Sequence, residues 1–127
     1  MCKRILKELY NITSIKTPDI YQYKIKIHNF KSLYDIDFSF LEANSGRTFY
    51  INFTFTEQYP FKKPILKLIL LDELFIHPNV YPDGRICIHS LEIWSPGNTI
   101  INIIKDVCKI LIEPDPKYSC NALIFNY

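Results

Sequence analysis

Apolar residues keep a helical spacing near both ends of the chain and alternate with polar ones in between. Ile5, Leu6 and Leu9 recur at helical intervals with Lys3, Arg4, Lys7 and Glu8 between them, which predicts a short amphipathic helix with a basic outer face. Asn11 to Asp19 reads as a loop. From Tyr21 the period becomes two: Tyr21, Tyr23, Ile25 and Ile27 share one side, and Gln22, Lys24, Lys26 and His28 the other. That is the signature of a half-buried strand. Ile36, Phe38 and Phe40 against Asp37 and Ser39 predict a second strand. Phe49, Ile51, Phe53 and Phe55 against Tyr50, Asn52, Thr54 and Thr56 predict a third. Ala43-Asn44-Ser45-Gly46 between these two carries hairpin chemistry, because Asn and Gly tolerate the left-handed backbone a tight turn needs.

Ile65 to Leu71 is apolar on both faces apart from Lys67, as expected of a strand that another element covers. The cover is expected to be a helix through Ile100, Ile103, Ile104, Val107, Cys108 and Leu111, with Thr99 as N-cap and Glu113-Pro114 ending it. The pattern therefore predicts an α+β fold in a single domain spanning residues 1–127. An N-terminal helix leads into a four-stranded antiparallel meander, a long loop follows, and a central helix packs on the sheet. Phe75 to Asn98 shows neither period. Long aperiodic stretches inside compact domains are more often functional than idle.

Composition narrows the function classes. The 127 residues are 48% hydrophobic and 22% charged with a formal net charge of +2, which suits one ordinary core. Acidic and basic residues are intermixed, so nothing suggests a nucleic-acid or membrane partner. The longest apolar run is far short of the about twenty residues a spanning helix needs. The start of the chain does not read as a signal peptide. The expected location is cytoplasmic, extending to the nucleus. Cys2, Cys87, Cys108 and Cys120 are scattered without a C-x-x-C pair, and are expected to be reduced thiols.

The aperiodic stretch carries the chemistry. It contains His77-Pro78-Asn79, then Tyr81-Pro82-Asp83-Gly84-Arg85, then Ile86-Cys87-Ile88, then Trp94-Ser95-Pro96, with His77 and Cys87 ten residues apart. Upstream stand Tyr59-Pro60-Phe61-Lys62-Lys63-Pro64 and the helix Lys3 to Leu9. In this order and spacing the motifs resemble the ubiquitin-conjugating enzyme family, from Lys3 to about Asn121. The Tyr81 to Arg85 segment is especially like the branch used in endoplasmic-reticulum-associated degradation, although here the Cys87 to Trp94 interval is short.

The resemblance implies that Cys87 accepts the C-terminal carboxyl of ubiquitin, or of a ubiquitin-like modifier, from an activating enzyme. It would then surrender that group to a substrate lysine or a ligase. A cysteine suits this work because its thiolate is a good nucleophile and the thioester stays reactive toward amines. Asn79 is implied as the donor that stabilises the developing oxyanion; its side chain could equally close a turn. His77 reads as a loop-supporting residue. Arg4, Phe61, Ser95 and Pro96 are implied as the surface that receives ligases and the activating enzyme, although Phe61 alone would be expected in the core. Lys105 and Lys109 fall on the face implied to seat the thioester-linked modifier. Trp94 reads as packing beneath the loop.

The resemblance implies no cofactor on this chain, ATP being used by the activating enzyme. It also implies a monomer. His89, two residues from Cys87, could form a thiol–imidazole pair or contribute to a metal site, but two ligands do not make a site. No metal is expected.

Two departures stand out. Many family members place a carboxylate at a gate opposite the cysteine, where it helps position and deprotonate the incoming lysine; the matching residue here is Tyr118, also in the loop-supporting group. A phenol cannot supply that charge at neutral pH. Either Asp115 or Asp83 substitutes, or the cargo goes to a ligase cysteine and no lysine needs activating. The second departure is the C-terminus, where the family continues through two further helices and Ala122-Leu123-Ile124-Phe125 reads as the start of one. The competing functional class is a non-catalytic ubiquitin-binding variant or an RWD-like scaffold.

Overall fold

The computed structural model describes residues 2–13, 19–69 and 77–119. The segment Ala122 to Phe125 lies outside them, as does the end of the apolar run after Ile69.

Helix α1 (Cys2–Thr13) buries Ile5, Leu9 and Ile12, a stripe at i, i+4 and i+7. Leu6 falls off that stripe and is exposed, and the helix continues through residues expected as loop. Glu8, expected on the polar outer face, is buried. Its carboxylate accepts from Arg4 Nε at 3.0 Å, from Tyr59 Oη at 2.6 Å and from the Ile100 amide at 2.7 Å. A buried charge persists only when such partners replace its water. Glu8 thereby ties α1 to the start of the long helix.

Five antiparallel strands follow in chain order: β1 (Asp19–Ile20), β2 (Tyr23–Ser32), β3 (Asp35–Glu42), β4 (Thr48–Thr54) and β5 (Ile65–Leu68). The predicted four-stranded meander is present, with the two-residue β1 added to its edge. Tyr21 and Gln22, expected in a strand, are instead the turn between β1 and β2, with φ of 47° and 72°. Two consecutive positive φ values suit the tight hairpin turn whose twist matches its strands.

Ile25, Ile36, Phe38, Phe40, Ile51, Phe53 and Leu66 make the inner face of the sheet. Against it packs α3 (Ile100–Ile112) through Ile100, Ile103, Ile104, Val107 and Cys108. Full burial of such side chains contributes about 1.5–3 kcal/mol each. Thr99 caps α3 with the reciprocal Thr99–Asn102 capping box, which satisfies first-turn amides that would otherwise have no partner.

β5 departs from expectation in two ways. It alternates, with Leu66 and Leu68 buried and Ile65 and Lys67 exposed, so it is not apolar on both faces. Its outer edge is met by the following loop: the Leu68 amide donates to Gly84 O at 2.7 Å and the Ile86 amide to Leu66 O at 3.2 Å. The helix covers the face of this strand and the loop covers its edge. After the loop comes α2 (His89–Glu92), a single turn too short to leave a periodic signature. No described helix is long and apolar enough to cross a membrane.

Candidate functional site

Between β5 and α3, residues 77–88 form a hairpin pinned to the sheet edge. Tyr81 to Gly84 form a tight turn, with the Gly84 amide donating to Tyr81 O at 2.9 Å and Pro82 at the position that its fixed φ favours. Gly84 sits at φ 97°, and a Cβ there would lie 2.6 Å from the Leu68 carbonyl oxygen. Only glycine lets the loop approach β5 this closely. Val80 bridges Ile86, and the Cys87 amide donates to Asn79 O at 2.8 Å. Chain folding thus brings Cys87 back beside Asn79.

Cys87 is 7% exposed, between the buried Ile86 and Ile88, at the mouth of this hairpin. It is disulfide-bonded in the structure, which differs from the expectation of four reduced thiols. Cys108 is the free cysteine of the described residues; burial pushes its thiol up to about 12, as befits a side chain sealed in the core.

Asn79 is fully buried and makes a clamp. Its Nδ2 donates to Asp115 O at 2.7 Å and Tyr118 O at 3.0 Å, while its Oδ1 accepts from the Asp115 amide at 2.9 Å. Both amide hydrogens are therefore committed to holding residues 115–118 against the cysteine hairpin. An oxyanion could be served only by redirecting one of them. His77 is buried alongside. Its Nδ1 accepts from the Asn79 amide at 3.0 Å, so its Nε2–H donates to Ile110 O at 2.8 Å. Burial lowers the pKa of this imidazole, opposed by the Ile110 carbonyl. With both nitrogens occupied it braces the loop.

The 115–118 segment is a 3₁₀ turn (Pro116–Tyr118) capped by Asp115, whose Oδ1 accepts from the Lys117 amide at 3.0 Å. Tyr118 reaches across to the residue two places after the cysteine: its Oη lies 2.6 Å from His89 Nδ1 and the rings meet edge to face. Asp83 is engaged locally, its carboxylate accepting from Arg85 N and Nε. Those hydrogen bonds hold its pKa below the usual carboxylate range. The two acids considered as gate substitutes, Asp115 and Asp83, thus both serve as local caps. His89 instead lines a groove of about 590 Å³ that runs past Asp106, Lys109, Glu113 and Asp115. Lys105 is exposed on the same helix as Lys109.

A second surface lies beside α1. Phe61 is 79% exposed rather than in the core. It shares a groove of about 650 Å³ with Arg4, Tyr59, Pro60 and Lys62. Arg4 also donates to Pro96 O and Asn98 O at 3.2 Å, which gathers Arg4, Phe61, Ser95 and Pro96 into one region. Trp94 is held beneath it, donating from Nε1 to Pro60 O at 2.8 Å. Tyr59, fixed by Glu8, has its phenol pushed far above the usual range, first by burial and then by that carboxylate. Glu8 gave no sign of this role in the sequence, since an acid on a short amphipathic helix reads as solvent-facing. Among the described residues no cluster of His, Cys, Asp and Glu could hold a metal ion.

Residues 4–126 match the family model described as "Ubiquitin-conjugating enzyme". The chain is 42% identical over 77 residues to ubiquitin-conjugating enzyme E2 1 of Caenorhabditis elegans, a match covering 60% of this chain and 38% of that one. It is 36% identical over 78 residues to ubiquitin-conjugating enzyme E2 3 of Arabidopsis thaliana, covering 61% and 50%. The matched stretches therefore span half or less of those relatives. Among solved structures, ubiquitin conjugating enzyme E2 UbcA1 from Agrocybe aegerita superposes with a TM-score of 0.73 at 28% identity, over 88% of this chain and 82% of that one. Human ubiquitin-conjugating enzyme E2 G1 shares the fold, with a TM-score of 0.70 at 24% identity over 87% and 93%.

Proposed function

Because the chain belongs to the ubiquitin-conjugating enzyme family, we propose that it carries ubiquitin as a thioester on Cys87 and passes it to a lysine or a ligase cysteine. The observation that carries this reading is the position of Cys87: it closes a rigid hairpin on the sheet edge, beside the Asn79 clamp. A nucleophile held this way presents one approach to an incoming acyl group.

In the reduced chain, the thiolate attacks the carbonyl carbon of the activated modifier and the activating enzyme's sulfur departs. In the second transfer an amine or thiol attacks the new thioester, the C–S bond breaks, and the attacking group's proton passes to the departing Cys87 sulfur. Each passes through a tetrahedral oxyanion that aligned amide donors stabilise. Asn79 contributes first by holding residues 115–118 against the cysteine hairpin. His77 fixes Asn79 in turn. Ubiquitin is favoured as the modifier because the named relatives are ubiquitin-conjugating enzymes.

We assign the groove at Arg4 and Phe61, with Ser95 and Pro96 beside it, to the activating enzyme and ligases. A protruding aromatic ring beside a cation is a suitable anchor for a partner. The Lys105 and Lys109 face of α3 is assigned to the bound modifier. The test is charging: reduced protein, activating enzyme, ATP and ubiquitin should give an adduct that a thiol reductant removes. Absence of that adduct, or its persistence in Cys87→Ala, would refute the assignment.

A further inference from the structure

Transfer from a thioester to lysine has a proton problem. A lysine side chain is an ammonium at neutral pH, and nitrogen attacks only after losing a proton. A base is needed next to the thioester.

The groups around Cys87 can be sorted by what they already do. Both nitrogens of His77 are committed. The Asp83 carboxylate is held by Arg85, and Asp115 caps the 3₁₀ turn. Asp106 Oδ2 accepts from the Ser90 amide at 3.0 Å. His89 is different. It is exposed, its Nδ1 is fixed at 2.6 Å by Tyr118 Oη, and its Nε2 has no partner among the described residues.

The placement closes a ring. Cys87 N reaches Asn79 O, Asn79 Nδ2 reaches Tyr118 O, Tyr118 Oη reaches His89 Nδ1, and one residue returns the chain to Cys87. The imidazole therefore belongs to the same closed unit as the Cys87 backbone, its ring orientation set by a phenol.

We propose that His89, positioned by Tyr118, accepts the proton of the incoming lysine in the transfer step. This rests on the conjugation reading above. In the productive tautomer Nδ1–H donates to Tyr118 Oη, leaving the Nε2 lone pair facing outward; on protonation the Nδ1–H bond to the phenol is kept. The lysine ammonium gives one proton to Nε2, and the freed amine attacks the thioester carbonyl. The C–N bond forms and the C–S bond breaks. The remaining extra proton on nitrogen goes to the departing sulfur, leaving an amide, the Cys87 thiol and an imidazolium that returns its proton to water.

The charged groups facing the imidazole come from three elements. Asp106 and Lys109 project from α3, Glu113 and Asp115 line the groove beyond it, and the Lys117 ammonium lies 5.5 Å from the Tyr118 ring centroid. Glu92 is on α2 itself.

The experiment is single-turnover discharge of the reduced, ubiquitin-charged full chain to free lysine and, in parallel, to free cysteine, with rates taken per charged molecule. A positioned base contributes about 10²–10⁴-fold. The ratio of lysine to cysteine discharge should fall at least tenfold in His89→Gln and severalfold in Tyr118→Phe. An unchanged ratio in His89→Gln overturns the proposal, as does an equal fall with both acceptors. Loss of lysine discharge in Glu113→Gln with His89→Gln unaffected would move the role to that carboxylate and also overturn it. Failure of the unaltered chain to charge overturns the conjugation reading and this proposal together, which separates it from the other outcomes.

Discussion

Asn79 holds Tyr118 by its main chain: Nδ2 of the first donates to the carbonyl of the second at 3.0 Å, while the same nitrogen donates to Asp115 O at 2.7 Å. Residues 39 positions apart in sequence are joined at the mouth of the cysteine hairpin. The arrangement of the site depends on this clamp more than on any charge.

Asn79→Ala removes both donors and leaves the Asp115 amide without its acceptor. Unpaired groups in a buried site cost about 1–3 kcal/mol, so the variant should lose on the order of 2–4 kcal/mol in urea unfolding. Asn79→Asp keeps the acceptor for Asp115 N but places a carboxylate against two carbonyl oxygens, and should be no more stable. A loss below about 0.5 kcal/mol in Asn79→Ala would show that the clamp is not formed in solution.

Glu8 makes a second prediction about stability. Replacing it with Ala strands Tyr59 Oη and the Ile100 amide and removes the ion-pair partner of Arg4. Removing one partner of a buried charged network costs about 3–5 kcal/mol. The midpoint of denaturant unfolding should drop accordingly, whereas Lys7→Ala, on the exposed side of the same helix, should change it by less than about 0.5 kcal/mol.

Gly84→Ala combines a left-handed backbone with a Cβ 2.6 Å from the Leu68 carbonyl oxygen. Strain and overlap together should cost about 2–4 kcal/mol. Hydrogen exchange should show the loss first at the amides of Leu68 and Ile86, which pair the loop with β5.

His77 sets a pH dependence. Burial depresses its pKa in the folded chain, so the unfolded chain binds the extra proton more readily. The stability contributed by the neutral ring is fully present above the unfolded value of about 6.5 and is lost as pH falls below it. The fall should approach about 1.4 kcal/mol per pH unit for one proton. In unfolding measured from pH 7.5 to 5, His77→Gln should have the shallower profile. Identical slopes would contradict the burial of an uncharged ring.

The disulfide on Cys87 predicts that charging is gated by reduction. Protein treated with a thiol reductant and desalted should charge several times more completely than protein exposed to a mild disulfide oxidant, and a second reduction should restore it. Equal charging in both states would show that this sulfur is not sequestered.

Much of the architecture was legible because it rests on repetition. Ile36, Phe38 and Phe40 alternate on their strand, and Ile100, Ile103, Ile104 and Val107 keep a helical period to the capped end at Thr99. What escaped detection lacked a period or depended on distant partners. Tyr21 and Gln22 turn the chain without the usual Gly or Asn. The single turn at His89 is shorter than any window that could reveal it. Glu8 is buried only because Tyr59 and Ile100 come to meet it. At the site, the motifs named Cys87, Asn79 and His77, but the link between His89 and Tyr118 spans 29 positions and exists only once the clamp has closed.

The central claim is that position 87 is the acyl acceptor, and replacing sulfur by oxygen there tests it most directly. Reduced Cys87→Ser, incubated with activating enzyme, ATP and ubiquitin, should form a slower adduct that survives thiol reductant and is cleaved by mild base, as an oxyester is. The unaltered chain should give one that the reductant removes. A reductant-sensitive adduct on Cys87→Ser would place the acyl group on another cysteine and contradict the account.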